Sequence, residues 1–494
     1  VTTTVTVSLV SHTNVGKTTL ARTLLKRDVG RVLDRAHVTE ENESFVLAET
    51  PDARLVLWDT PGFGDTARLA RRLVRESDPI AWFLRTVWDR VADRPLWCGQ
   101  QAVRNVKQEA DVVLYLVNAA EDPEAAGYPR HELDLLAWVG RPTLVLLNQT
   151  GEPGRDEAPL ARWREFAKAW PIVADVLPLD AFTRCWVEEG RLLDRVAEVV
   201  APEKRAAARA LADAWGETNR ATFHEAVARL SEHLASAAAD REPLARAGEA
   251  PSSRLADLWR AVAGAATRVT PPQRRAMAAL GARLQASSER LMADLLSLHG
   301  LDGRSAAAVE RRVEDFAVEG GSAARARRSA TWGGILGGAL SGLAADLAAG
   351  GLTLGGGMIL GAIAGMLGGA GLARTVDLVG GRRDPSVAWS PAFLEELFRQ
   401  ALLRYVAVAH FGRGRGEWRD AQEPARWRDA VAGAAAAGAE ERGAVLARAR
   451  ESGTDAVRAA LEPVVLRSVR EALRSLHPAC ETWIESPGGP SVRS

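Results

Sequence analysis

Short apolar runs rich in β-branched residues recur along the chain as far as about residue 200. They are Val5 to Val10, Arg54 to Trp58, Ala110 to Val117, Thr143 to Leu147 and Ile172 to Leu177. Runs of this length, apolar almost throughout, suit strands buried on both faces, and helix-like segments such as Leu20 to Lys26 lie between them. The alternation predicts a doubly wound α/β domain with a mostly parallel sheet over residues 1–200, its ligand at the carboxyl ends of the strands.

From Pro202 the strand pattern gives way to long Ala/Arg/Glu/Leu-rich segments of helical period. Helices are predicted over Pro202 to Arg241, Pro272 to Leu298, Pro391 to Ala409, and Pro424 to Leu476 with a break at Pro463. This all-α region divides into residues 201–328, a glycine-rich apolar hairpin over 329–376, and a C-terminal helical part over 377–494, whose Gly/Pro/Ser tail is expected to be disordered.

The chemistry sits at the ends of the strands. After the first run, Ser11-His12-Thr13-Asn14-Val15-Gly16-Lys17-Thr18 reads as a phosphate-binding loop. In such a loop backbone N–H groups wrap the phosphates, the lysine reaches the β and γ oxygens and the hydroxyl holds Mg²⁺. Those roles fall to Lys17 and Thr18, with Asn14, Val15, Gly16 and Thr19 in the cradle. Ser11 stands where the strict pattern has glycine, so the loop is expected to open without a residue free to take positive φ. The second run ends in Asp59-Thr60-Pro61-Gly62. There a carboxylate meets the Mg²⁺ shell and a glycine amide faces the γ-phosphate.

Together these motifs resemble the translation-factor class of P-loop GTPases, closest to its Era/TrmE-like branch, with loops of the form Gly-x-x-Asn-x-Gly-Lys-Ser/Thr and a second motif Asp-Thr-Pro-Gly. A bacterial subgroup joining such a G domain to a helical C-terminal region with a glycine-rich apolar segment is the architectural match. The specific resemblance covers residues 1–200. It implies GTP/GDP binding with Mg²⁺ held by Thr18, Asp59 and a switch threonine, assigned to Thr39, and catalysis dependent on Lys17, Thr39 and Gly62. It further implies a K⁺ ion beside Asn14; read by itself, Asn14 is equally a turn-forming residue.

Departures from the family pattern carry their own expectations. Phe63 follows Gly62 where Ras-like enzymes have a water-orienting glutamine, so intrinsic turnover is expected to be slow. Asn148-Gln149-Thr150-Gly151 stands in place of Asn-Lys-x-Asp: Asn148 and Gln149 keep the base-contact positions, but the guanine-pairing aspartate is Gly151, with Glu152 adjacent. Leu179 to Phe182 occupies the place of the fifth motif, putting the Ala181 backbone at the base.

The glycine-rich segment, Thr331 to Ala373, is uncharged apart from Asp346, and Gly350-Gly351 offers a turn between two passes near the length needed to cross a bilayer. Gly334, Gly338 and Gly342, then Gly357, Gly361, Gly365 and Gly369, mark a smooth stripe on each pass, suited to helix contact in lipid or to self-association into a homo-oligomer. Arg325, Arg327 and Arg328 precede it and Arg374, Arg382 and Arg383 follow, as in an inner-membrane hairpin with both ends cytoplasmic. A buried helical hairpin in water would show the same stripe.

Composition adds limits. The 494 residues carry 63 basic and 63 acidic side chains, a net charge of zero that gives no whole-molecule attraction to nucleic acid. Cys98, Cys185 and Cys480 show no metal-ligand spacing and read as small buried residues in a reducing compartment. Val1 to Val10 reads as a strand instead of a signal peptide, so a cytoplasmic nucleotide site is expected. The reading is a GTP-hydrolysing switch for a membrane-associated helical region. A nucleotide-gated membrane tether with negligible hydrolysis, or an Era-like RNA or ribosome-assembly factor, is the alternative.

Overall fold

The computed structural model describes residues 2–26, 42–64, 66, 94–150, 157–181, 185–244, 271–301, 372–379, 382–411, 423–449 and 452–485. Thr39, Gly151, Glu152, Phe182 and the glycine-rich segment up to residue 371 lie outside these residues. The chain divides into two compact units, one of Val1–Ala221, Ala409–Arg426 and Leu476–Ser494, the other of Thr222–Val408 and Trp427–Ser475.

The first unit is built on a six-stranded sheet ordered β2-β3-β1-β4-β5-β6, comprising β1 (Thr3–Ser11), β2 (Glu43–Glu49), β3 (Ala53–Asp59), β4 (Val112–Asn118), β5 (Thr143–Asn148) and β6 (Val173–Pro178). All neighbours pair in parallel except β2 with β3. Period-two alternation sorts the apolar residues into two cores. Val5, Val7, Leu9, Leu114, Leu116, Leu144 and Leu146 face one layer with helix α1 (Lys17–Leu25). Val10, Val113, Tyr115, Val117, Val145 and Leu147 face the other, covered by α2 (Arg94–Gln108), α3 (Tyr128–Val139) and α4 (Glu157–Ala167). Both faces are dry, which is why the central strands read as unbroken apolar runs. After β6 come α5 (Trp186–Val199) and the long α6 (Arg205–Ala239).

A distant segment completes this unit. Trp483, on the short helix Glu481–Glu485, is buried between Gly190 of α5 and Gly216 of α6, its indole Nε1 donating to Asp194 Oδ2 at 2.7 Å. A Cβ at Gly216 would lie 2.5 Å from the Trp483 ring, and one at Gly190 would overlap it. Both glycines are needed for this close approach.

The second unit holds α7 (Pro271–Leu298), α8 (Pro391–Ala409), α9 (Glu423–Ala437), α10 (Ala439–Arg448) and α11 (Thr454–Leu476). Arg442, 1 % exposed, is held by the Glu395 carboxylate and lies 4.0 Å from the centre of the Phe398 ring.

Two expectations are corrected here. The strand pattern does not end at Pro202: β7 (Arg241–Pro243), β8 (Leu372–Val379) and β9 (Arg382–Trp389) form a three-stranded antiparallel sheet in the order β7-β9-β8. Arg374, Arg382 and Arg383 belong to its strands, where a charge-rich sequence hides the apolar alternation. Nor does the chain break at Pro463, which lies inside α11. Burial of Val457, Leu461, Val464, Val465 and Val469 outweighs the roughly 3 kcal/mol that an interior proline costs. The breaks fall instead at Gly438 and near Gly453.

Candidate functional site

The motif residues converge at the carboxyl ends of β1, β3 and β5. Ser11 is still in the strand, paired with Leu116 of β4, so no positive φ is needed where glycine was missing. The turn is made further on, by Asn14 at φ 66° and Gly16 at φ 103°, which caps α1. Asparagine tolerates this region and glycine takes it freely. A Cβ on Gly16 would stand 2.8 Å from Asn148 Nδ2, so the position also requires a bare backbone.

Lys17 is 7 % exposed, and its ammonium donates to Ser11 Oγ at 2.9 Å and to the His12 carbonyl at 3.5 Å. Burial pulls its pKa below the usual lysine value, while Asp59 and Glu132 push it back. The Thr18 hydroxyl donates to Asp59 Oδ2 at 2.7 Å. Asp59 is 1 % exposed, and its buried Oδ1 has no hydrogen-bond partner among the described residues. Desolvation raises its pKa to about 6 against the opposing pull of Thr18 and Lys17. A hydroxyl beside an orphaned buried carboxylate oxygen is a hard oxygen donor set, which fits Mg²⁺. Gly62 closes over the loop: a Cβ there would meet Thr13 Cγ2 at 3.0 Å and Lys17 Nζ at 3.1 Å.

Asn148, fully buried at the end of β5, ties three segments together. Its Nδ2 donates to the Val15 carbonyl at 2.7 Å, and its Oδ1 accepts from the Ala181 N–H at 2.8 Å. The Ala181 carbonyl in turn accepts from Thr23 of α1 at 3.1 Å. Val15, Asn148 and Ala181 are therefore brought together; Gln149, exposed at φ 56°, adjoins them, and Thr19 is buried in the first turn of α1. Asn14 is exposed at the crest of the loop.

Two features were not foreseen from sequence. Phe63 is fully buried in the core with Val10, Leu96 and Val103, its N–H donating to the Ser11 carbonyl at 2.8 Å. In addition, His12 Nδ1 lies 2.8 Å from Glu132 Oε1, the Tyr115 hydroxyl donates to Glu132 Oε2 at 2.8 Å, and the His12 ring stacks on Tyr128 at 4.3 Å. Glu132 is wholly buried, and desolvation raises its pKa while His12 and Tyr115 oppose the shift. No spacing rule links residues so far apart; the only sequence signal is an acidic residue on the apolar face of α3.

Comparison with known proteins agrees with this geometry. Residues 6–149 match the family model described as 50S ribosome-binding GTPase, and residues 174–475 match that described as Domain of unknown function (DUF3482). GTPase Era of Aquifex aeolicus (strain VF5) is 24 % identical over 189 residues, 37 % of this chain and 53 % of that protein, so the chain spans about half the length of this curated relative. Solved structures with similarity include an Aquifex aeolicus Era variant bound to GDP and aluminium fluoride, 20 % identical, covering 40 % of this chain and 57 % of that one at a TM-score of 0.32. Another is Era with MgGDPNP and nucleotides 1506–1542 of 16S ribosomal RNA, 22 % identical, covering 36 % and 52 % at a TM-score of 0.27. Residues 6–149 are a P-loop GTPase domain with similarity to Era, and the chain belongs to the DUF3482 family.

Proposed function

We propose that the chain is a GTP-hydrolysing switch whose G domain, residues 1–200, governs the C-terminal regions 201–328 and 377–494, helices with one small sheet, and a membrane-associating segment within 329–371. The observation that carries the nucleotide part is the buried Thr18–Asp59 pair with its unpartnered carboxylate oxygen, set beside Lys17 and beneath Gly62. In this reading Thr18, Asp59 and Thr39 would hold Mg²⁺, which would supply positive charge to the phosphates. Lys17 exchanges its contacts to Ser11 and the His12 carbonyl for phosphate oxygens. The Gly62 amide senses the γ-phosphate and water attacks in line, and Asn14 would help hold a K⁺ ion that would supply further positive charge. Asn148 and the Ala181 backbone position the base.

Turnover is slow in this proposal, because Phe63 is committed to the core and no side chain at that position orients the water. The same burial favours the second reading, a nucleotide-gated tether with negligible hydrolysis. Membrane association rests on the uncharged, glycine-striped sequence of residues 331–373; among the described residues no helix is long and apolar enough to cross a membrane. The proposed location is the cytoplasmic side of a bacterial inner membrane, and the glycine stripes also suit a homo-oligomer.

Calorimetric titration with GTP, GDP and ATP in Mg²⁺, on the natural chain and Lys17→Ala, tests the core of the proposal. Guanine-nucleotide binding that disappears in the variant supports it, and equal ATP binding sinks it. Phosphate release over many turnovers separates switch from tether, and turnover unchanged on replacing Na⁺ by K⁺ removes the cation. Flotation with anionic vesicles tests the hairpin; salt-sensitive RNA binding without flotation would replace the membrane reading by the Era-like one.

A further inference from the structure

Apart from the nucleotide site, the described residues contain a second cluster able to hold a metal ion, formed by Cys185, His410 and His477. All three belong to the first compact unit. Cys185 caps α5 directly beyond the Ala181 segment, His410 follows α8, and His477 follows α11. The sulfur and the ring nitrogens all lie within 4.8 Å of one another, and the two Nε2 atoms are 2.7 Å apart. Cys185 is fully buried, His410 is 2 % exposed, and the His477 side chain is 11 % exposed.

The surrounding groups are arranged as they are around a bound metal. His477 Nδ1 lies 3.3 Å from Glu188 Oε1, while Glu188 Oε2 accepts the Cys185 N–H at 3.1 Å. A carboxylate that accepts the outer N–H of an imidazole fixes its tautomer and turns the other nitrogen's lone pair inward. That inward atom, His477 Nε2, faces His410 Nε2. The two buried rings stack at 5.0 Å, almost parallel, with their Nε2 atoms facing each other.

We propose that Cys185, His410 and His477 are the protein ligands of a Zn²⁺ ion that joins three sequence-distant segments of the G-domain unit, with Glu188 orienting His477 from outside. A sulfur and two imidazoles form a borderline-soft set that selects zinc over the Mg²⁺ of the nucleotide site. Two zinc-bound nitrogens stand about 3.3 Å apart in a tetrahedral site with bonds of about 2.0–2.1 Å, so the rings separate by roughly half an ångström on binding. Binding releases the Cys185 thiol proton to solvent. Each imidazole binds through Nε2 as its neutral Nδ1–H tautomer, and any further proton on the ring pair leaves to solvent with the thiol proton. The fourth position is left for water or an added ligand.

The test uses the purified full chain with reduced thiols, stripped of metal and then given Zn²⁺ or Co²⁺. The expected result is one tightly held zinc per chain and a cobalt spectrum with a thiolate charge-transfer band and tetrahedral d–d bands. Both should vanish in Cys185→Ser and His477→Gln and persist in Cys98→Ser. Should the ligand variants fail to fold, X-ray absorption at the zinc edge of the natural chain reads the same point, because the ion should show one sulfur at about 2.3 Å and two imidazole nitrogens at about 2.0–2.1 Å. Absence of stoichiometric zinc, a cobalt spectrum without the thiolate band, or an absorption spectrum without a sulfur neighbour would each overturn the site.

Discussion

Gly216→Ala is expected to destabilise the first unit although alanine is the better helix former. In an exposed helix the change would add about 1 kcal/mol of stability. Here the new methyl stands 2.5 Å from the Trp483 ring and 2.8 Å from Arg220 Nη1. The ring is pinned by its bond to Asp194 and has the Arg220 guanidinium 5.8 Å above it. Overpacking of this kind costs about 1–3 kcal/mol, so the net loss is up to about 2 kcal/mol. Trp483→Ala alone removes a fully packed indole and costs roughly 3–5 kcal/mol. In that background the obstacle is gone, and Gly216→Ala should become stabilising by about 1 kcal/mol. The two changes therefore couple by about 1–3 kcal/mol. Hydrogen exchange of the β4 and β5 amides, measured on the natural chain, both single variants and the double variant, reads this unit separately from the other. A Gly216→Ala effect of the same sign and size in both backgrounds would refute the wedge.

Asn148→Ala strands the Ala181 N–H and the Val15 carbonyl in a buried site, and at about 1–3 kcal/mol for each it should cost roughly 2–6 kcal/mol in denaturant unfolding as well as weakening nucleotide binding. Gly62→Ala presses on Thr13 and Lys17, so phosphate release should fall about tenfold or more, a barrier rise of ~1.4 kcal/mol, with little change in melting temperature. His233, in the second unit, is 3 % exposed and bonded to Ser287 at 2.8 Å. Burial, helped by Arg404 and Arg290, lowers its pKa to about 3. The unfolded chain, with a histidine pKa of about 6.5, binds the extra proton between these values. The stability contribution is therefore complete above pH 6.5 and lost at about 1.4 kcal/mol per pH unit as pH falls toward 3. Unfolding curves across that range should lose this slope in His233→Gln; an unchanged slope would assign it to other groups.

The parts of the fold that were legible are those in which local pattern and tertiary environment agree. β1, β4 and β5 are dry on both faces, so their sequences show uninterrupted apolar runs, and Lys17, Thr18, Asp59 and Gly62 could be placed because each follows such a strand. The expectation at Ser11 applied the glycine rule to a residue that is still in the strand. Pro463 shows tertiary burial overriding a local breaker, and β8 and β9 show pairing sustained by a sequence whose charges mask the alternation. Phe63 could be recognised as a missing glutamine but not as a core residue, since burial against Leu96 and Val103 depends on a helix far along the chain. The same distance hid Glu132 behind His12 and the two histidines beside Cys185.

The Trp483 wedge also has a consequence in time. Its anchor, Asp194, precedes it by 289 residues, and these must be synthesised before the groove between Gly190 and Gly216 can close. At about 5–20 residues per second that interval is roughly 15–60 s, far longer than a small α/β domain needs to collapse. A nascent G domain thus waits on the ribosome with its sheet formed and one apolar slot open, and whatever occupies that slot competes with the chain's own tryptophan.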